Sequence, residues 1–399
     1  MTRIALLVLF LLGSYRTIAQ KVGEERLEAM PYYNYGRGLG ITSPDSIYKL
    51  NIRFRMQNRA TYLEEDGKRS IDGQIRRLRL RFDGYVGSPR FTYLFQLSFA
   101  PGDVGELEEG KNLNIIRDAV VFFQPNKFWT IAFGQTKLPG NRQRFNSSGG
   151  LQLTDRSINN ARFNVDRDFG IQVHHLKQRR DRFSFNLKAA ITSGEGRNFT
   201  ANDDVKLAYT AKVEVFPLGG FEKGGEYFEG DLMREEKPRF MTSFAYQFNS
   251  GAKQTQGQTG ELLPSGKDIR SLFGDFIFKY RGLALMSSYM ERTSSRAMLL
   301  PGEIIDPMKS VYAGRGMDYQ ASYLLPSNFE MIGRYSWQNV VPSLQMHLPN
   351  HRQYTLGITR YIWEHAFKVQ GELTYQTTHL LNQAHQSSWY FRLQTEIGI

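Results

Sequence analysis

Between Gln74 and Gly87 the chain reads QIRRLRLRFDGYVG. Arg77, Arg79 and Arg81 stand at every second position and alternate with Leu78, Leu80 and Phe82. A guanidinium keeps its charge at any ordinary pH and attracts anions, so three at this spacing are candidates for anion binding. The preceding run repeats the pattern: Arg53, Arg55 and the nearby Arg59 alternate with Leu50, Ile52, Phe54 and Met56. A third group of cations, Lys137, Arg142, Arg144 and Arg156, lies in a long stretch without alternation. A period of two belongs to a strand, whose successive side chains face opposite ways. Each of the first two runs therefore has one greasy face and one cationic face.

Two architectures make such strands: a soluble sheet with one wet face, or a membrane barrel, apolar toward lipid and polar toward its lumen. The chain has 399 residues, a formal net charge of +12 and no cysteine, which excludes a disulfide framework and thiolate chemistry. Arg3, the apolar run Ile4 to Leu12 and the small residues before Gln20 form a signal peptide over residues 1–19. That run is too short to span a bilayer, and no later stretch approaches the roughly 18 apolar residues a membrane helix needs. An exported soluble protein or a β-barrel remains.

Alternating runs continue to the last residue, Ile399, and number about sixteen, many near the length a tilted membrane strand requires. One run, near 115–124, is apolar on both faces and leaves its phase open. Links between runs alternate long and short. Residues 63–72 read as a polar loop, Gly87-Ser88-Pro89 as a turn, 292–314 as a loop and Pro326-Ser327 as a turn. Outer-membrane barrels have long outer loops and short periplasmic turns, and a sandwich has no reason to keep that rhythm. The rhythm fails at 217–238, a Gly-rich and acidic insertion where a short turn belongs. Tyr62, Trp337 and Trp389 fall near outer strand ends, and Trp129 and Trp363 near inner ends, as interfacial rings do. The reading is an all-β, transmembrane antiparallel β-barrel of about 16 strands over residues 47–399, preceded by an N-terminal periplasmic segment, 20–46.

In such a barrel the arginines must face the lumen, because each one turned to mid-bilayer lipid costs roughly 2–4 kcal/mol. Assigning every polar face inward gives about fifteen cations against seven carboxylates, concentrated on the first two strands. A low-dielectric tube with that balance favours anions. Some sixteen strands enclose a water-filled channel rather than a packed interior. The link from about Lys137 to Arg167 is the natural constriction if it folds inward, and an external flap if it does not.

Other signals are weak. Gly36-Arg37-Gly38-Leu39-Gly40 lacks the strand–helix context of a phosphate loop. His174 and His175 are neighbours on a strand and cannot chelate together. Asn198-Phe199-Thr200 fits a glycosylation sequon, a triplet common by chance. No catalytic group, cofactor, metal or nucleic-acid partner is expected; membrane lipid and small anions are. Two rivals stand beside the pore: a barrel enzyme with a Ser/His/Asp cluster at its outer rim, and a soluble exported glycan-binding sheet protein.

Several stretches together resemble the phosphate-selective porin family. They are Tyr35-Gly36-Arg37-Gly38-Leu39 with Tyr48-Lys49-Leu50, Ile75-Arg76-Arg77-Leu78-Arg79-Leu80, and Arg117-Asp118-Ala119. Phe133-Gly134-Gln135-Thr136-Lys137-Leu138-Pro139, Thr154-Asp155-Arg156-Ser157, Asp168-Phe169-Gly170 and Tyr227-Phe228-Glu229-Gly230-Asp231-Leu232 continue the likeness. The match is denser before about residue 240. Where the family has Pro-Phe-Gly after its lysine, this chain has Pro139-Gly140-Asn141, and it ends in Ile399 rather than Phe or Trp. The resemblance implies a sixteen-stranded, homotrimeric porin in the outer membrane of a Gram-negative bacterium. Its lumenal arginines, with guiding lysines, would pass small anions such as phosphate by diffusion.

Overall fold

The computed structural model describes residues 33–34, 38–105, 114–199, 205–294 and 310–399. The signal peptide expected over 1–19 lies outside them, as does most of the expected periplasmic segment 20–46. Sixteen strands form the wall: β1 (Tyr48–Glu65), β2 (Lys68–Val86), β3 (Ser88–Ser98), β4 (Ile116–Asn126), β5 (Trp129–Lys137), β6 (Arg167–Lys177), β7 (Ser184–Thr192), β8 (Ala208–Phe216), β9 (Arg239–Gln254), β10 (Leu262–Tyr280), β11 (Leu283–Ser294), β12 (Gly314–Leu324), β13 (Phe329–Val340), β14 (Asn350–Trp363), β15 (Phe367–His379) and β16 (Gln386–Gly398). Each pairs antiparallel with its sequence neighbours, and β16 closes on β1 from Ser388↔Glu65 to Gly398↔Arg55. Closure leaves no open sheet edge at the seam, which is why a strand wall can stand in lipid. Below the seam a short strand, Gly38–Thr42, takes over the edge of β1, with Leu39 opposite Ile52.

Alternation holds around the wall. On β14, Gln353, Thr355 and Thr359 are buried inward while Tyr354, Leu356 and Ile358 are exposed outward. An outer face this apolar fits lipid and not water.

The structure changes the reading in three places. The polar loop expected at 63–72 is absent: Asp66 and Gly67 alone turn the chain, both at positive φ (49° and 75°). Two left-handed residues make the tight turn whose twist matches antiparallel strands, so β1 and β2 run 18 and 19 residues. The open phase of the fourth run is settled by β4, where Asp118 and Val120 point inward and Val121 outward. The insertion 217–238 is not a surface loop. It enters the lumen from the turn end and meets the inward-folded segment 138–166: Glu229 N–H bonds the Gly150 carbonyl at 3.0 Å.

Candidate functional site: an arginine-lined lumen

Segment 138–166 crosses the interior and is fastened to the far wall. Phe163, Leu138 and Val165 pack against Phe273, Met290, Tyr312 and Val340 in the largest apolar cluster. Wall carboxylates accept from the segment. Glu372 takes the Thr154 N–H (2.9 Å) and hydroxyl (2.7 Å), Asp318 takes the Ser157 hydroxyl (2.6 Å), and Glu330 takes the Gln152 amide (2.6 Å). Wall lysines donate to its carbonyls: Lys368 Nζ bonds Gly149 O (2.7 Å) and Leu151 O (2.6 Å). Gly357 lets the segment close up, because a Cβ there would stand 2.3 Å from Leu153 Cδ2. Buried polar groups demand partners, and here the wall and the segment satisfy each other.

The insertion is fixed by the same chemistry. Lys279 Nζ donates to Gly225 O (2.7 Å) and Gly230 O (2.5 Å). Arg142 reaches from the segment to Glu226 O (3.0 Å) and Phe228 O. Phe228 stacks on His365, with centroids 4.6 Å apart.

The opposite wall, β1 to β4, carries the arginines, gathered around three carboxylates. Asp83 accepts from Arg53 (3.1 Å), Arg81 (2.9 Å) and Asn51 (3.1 Å). Asp103, on the short helix Pro101–Val104, pairs with Arg79 (2.6 Å) and Arg117 (2.9 Å) and accepts the Ser98 hydroxyl (2.7 Å). Asp155, in the crossing segment, pairs with Arg59 (3.0 Å), Arg76 (2.8 Å) and Arg77 (3.2 Å). Burial pushes the Asp155 carboxyl up, but Arg77, Arg76 and Arg59 outweigh it and hold the group well below the usual carboxylate range. Asp103 is shifted down in the same sense, with burial opposed by Arg79 and Arg117.

Arg76 and Arg117 were not predicted to line the lumen; simple alternation puts Arg76 toward lipid. Two β-bulges bring them in. Gln57 pairs with Arg77 but Asn58 with Ile75, so Arg76 is the extra residue. Gln96 pairs with Asp118 but Leu97 with Ile116, so Arg117 is extra. A bulge turns two successive side chains toward one face. The sequence signal was a charged doublet, Arg76-Arg77 or Arg117-Asp118, interrupting a strand.

Between these groups lies a cavity of about 510 Å³, lined by Arg76, Arg77, Arg79, Arg117, Arg144, Arg156, Arg197 and Arg392 against Asp103, Asp155 and Asp166. Eight cations to three carboxylates leaves an excess of positive charge. Arg156 and Arg197 are held by carbonyl oxygens: Gln143 O at 2.5 Å for Arg156, Asn114 O and Asp103 O at 3.4 Å for Arg197. Arg53, Arg55 and Arg81 face the lumen nearer the turn end, and Arg55 bonds Ser148 at 2.6 Å. Arg144 and Arg156 line the cavity, and Arg144 also pairs with Asp166. Lys137 and Arg142 do not line it. Lys137 donates to Phe145 O and Asn146 O, both at 2.8 Å, and Arg142 is buried against the insertion. His174 and His175 face opposite ways. His174 bonds Gln172 at 3.2 Å inside, and the His175 ring meets Trp129 outside at 4.8 Å.

Residues 49–223 match the family model described as phosphate-selective porin O and P. Over those residues the chain is similar to that family. The match covers the arginine wall, the crossing segment and the start of the insertion, and the resemblance drawn from the residues is borne out. The outer membrane channel DcaP of Acinetobacter baumannii has a TM-score of 0.55 to this porin at 14% identity, covering 90% of this chain and 99% of that one. The anion-selective porin from Comamonas acidovorans gives 0.55 at 12% identity, covering 88% and 100%. OmpT of Vibrio cholerae in its trimer form gives 0.50 at 12% identity, covering 88% and 99%. At these identities the likeness is one of fold: a closed porin barrel. No curated protein sequence matches the chain. Family and fold together make the porin an outer-membrane channel of a Gram-negative cell.

Proposed function

We propose that this porin passes small anions by diffusion between the crossing segment and the arginine wall, performs no chemistry on them, and works as a homotrimer. The excess of arginines around the 510 Å³ cavity carries the reading. In a low-dielectric tube, fixed charge of one sign raises the local concentration of the opposite ion. Phosphate and small carboxylates fit the guanidinium chemistry, because both accept paired N–H bonds. The family description names phosphate, one neighbour is described as anion-selective, and another as a trimer form; all three support the reading.

Planar-bilayer recordings under a KCl gradient test it. The reversal potential should favour chloride, and Arg144→Glu with Arg156→Glu should move it toward potassium. An unchanged potential in that double variant would remove the cavity from the conduction path. Phosphate added to one side should compete with the chloride current, and the mass of the purified protein should correspond to three copies.

A further inference from the structure

The outer surface of β10 to β14 carries arginines where a membrane wall is expected to be apolar. Arg270, Arg315 and Arg352 are exposed, while their strand neighbours Ile269, Ser271, Gly314, Gly316 and Gln353 are buried inward. The three therefore point out of the barrel. Their registers fall in a regular line. Arg270 lies opposite Thr293, while Leu272, two residues on, lies opposite Glu291, which in turn faces Arg315. Arg315 faces Asn339, and Arg352 faces Trp337, again two residues lower. Each arginine is thus two strands along and two residues down from the last.

That slope is the tilt of the barrel. The row of Tyr280 runs through Leu283, Tyr323 and Met331 to Ile358, yet β14 continues to Trp363, five residues beyond. The strand ends descend at nearly the pace of the arginines, so the three stand at one height in the membrane. They stand on the loop side, which faces outward. Beneath them run the rings of Tyr319, Tyr335 and Tyr354, stacked with centroids 6.4 and 4.9 Å apart. Below the rings, Ala321 and Gly333 leave an apolar groove of about 700 Å³ between Leu285 and Leu356.

We propose that this arc holds an anionic, phosphate-bearing lipid of the outer leaflet, its headgroup on Arg315 and Arg352 and an acyl chain in the groove. Charge complementarity selects the occupant. Neither guanidinium has an ion-pair partner among the described residues, and Glu291, the acid in the arc, accepts the Tyr289 hydroxyl at 2.7 Å. From strand spacing and rise, the Cα atoms of Arg315 and Arg352 are about 12 Å apart. Two long side chains span that distance to grip one headgroup. The rings mark the interfacial depth at which such headgroups sit.

The test is native mass spectrometry of the full-length porin in detergent, titrated with diphosphorylated lipid A and, separately, with phosphatidylcholine. Lipid A should be retained and phosphatidylcholine should not. Arg315→Glu with Arg352→Glu should weaken retention roughly tenfold, while Arg315→Lys with Arg352→Lys keeps most of it. Resistance of the barrel to unfolding in SDS and the single-channel conductance should match the parent, since neither residue faces the lumen. Equal retention by the parent and the Glu variant, or equal retention of lipid A stripped of its phosphates, would overturn the proposal. So would conversion of an oligomer to monomers by the Glu variant, because the arc would then cover a second copy instead.

Discussion

Two walls of the lumen look alike as strings of residues and differ in the fold. On β1 and β2 inward arginines alternate with leucine and phenylalanine; on β9 to β15 inward Lys279, Asp318, Glu330, Lys368 and Glu372 alternate with similar apolar residues. Counted around every strand of the barrel, the inward faces carry about fifteen cations against seven carboxylates. Only one wall presents its charges to the passage. On that wall the Arg53 and Arg81 side chains are 29% and 38% exposed, while Arg59 and Arg77 are buried on Asp155; on the other, Lys368 is fully buried and spent on carbonyls of the crossing segment. Facing inward is a property of strand register. Facing solvent depends on what else enters the barrel, and two segments from opposite ends enter this one on the same side.

The largest effect should come from breaking the filled side. Lys368→Ala leaves two carbonyls without their donor and Glu396 with only the more distant Arg55 (3.8 Å) as a cation, and losing one partner of a buried pair costs about 3–5 kcal/mol. Unfolding in urea from detergent should register that loss, with a larger and noisier conductance as the segment loosens. A stability unchanged from the parent would mean the buried lysines are incidental.

The next effect is on the open side. Asp155→Asn frees three arginines, while Arg156→Glu removes a cation from the same cavity. The two should move the reversal potential in opposite directions, each by on the order of 1 kcal/mol after screening, roughly fivefold in permeability ratio. Equal responses from Lys279→Gln, on the filled side, would erase the distinction between the walls. Replacing residues 223–233 with a short Gly-Ser linker should then raise conductance with a smaller change in selectivity, because the insertion contributes bulk and carbonyls rather than exposed charge.

Acidification should do least. Asp155 and Asp103 have folded values below the usual carboxylate range of about 4. Their stabilisation is therefore complete above that range and is lost only as pH falls through the lowered values. From pH 7 to 5, selectivity should stay flat. Glu226, in the insertion, is shifted upward by burial and takes its proton before Asp155 and Asp103 do. A small conductance change as the pH falls, earlier than any change in selectivity, should vanish in Glu226→Gln. A large selectivity change between pH 7 and 5 would mean the arginine pairs do not hold those carboxylates.

The barrel was legible because strand alternation is a local signal repeated sixteen times, and because closure needs only a final strand that can pair with the first. Segment 138–166 could be read as a candidate constriction from its cations and from its place after an outward-running strand, but the sequence left an inward fold and an external flap both open, and the contacts with the far wall decide for the inward one. Three features were not. The Asp66-Gly67 turn was hidden by polar strand ends that read as loop, since residues above the membrane have no reason to alternate. The inward placement of Arg76 and Arg117 depends on bulges, which cancel the period that reveals everything else. The insertion makes sense only beside Arg142 and Lys279, whose partners are backbone carbonyls and leave no trace in residue type. Among the site residues, Arg59 and Arg77 proved to share Asp155, a pairing across the lumen that spacing along the chain cannot encode.

The seam has a further consequence. Ile399 exchanges backbone hydrogen bonds with Phe54, and one step farther along β1 Leu39 sits opposite Ile52, running in the same direction as β16. The last strand and the short strand after Gly38 are thus two pieces of one line with a nick between them. A circular permutant that seals Ile399 to Gly38 and opens the chain at the Asp66-Gly67 turn should therefore fold to the same cylinder, with a continuous staple where the native protein has a break.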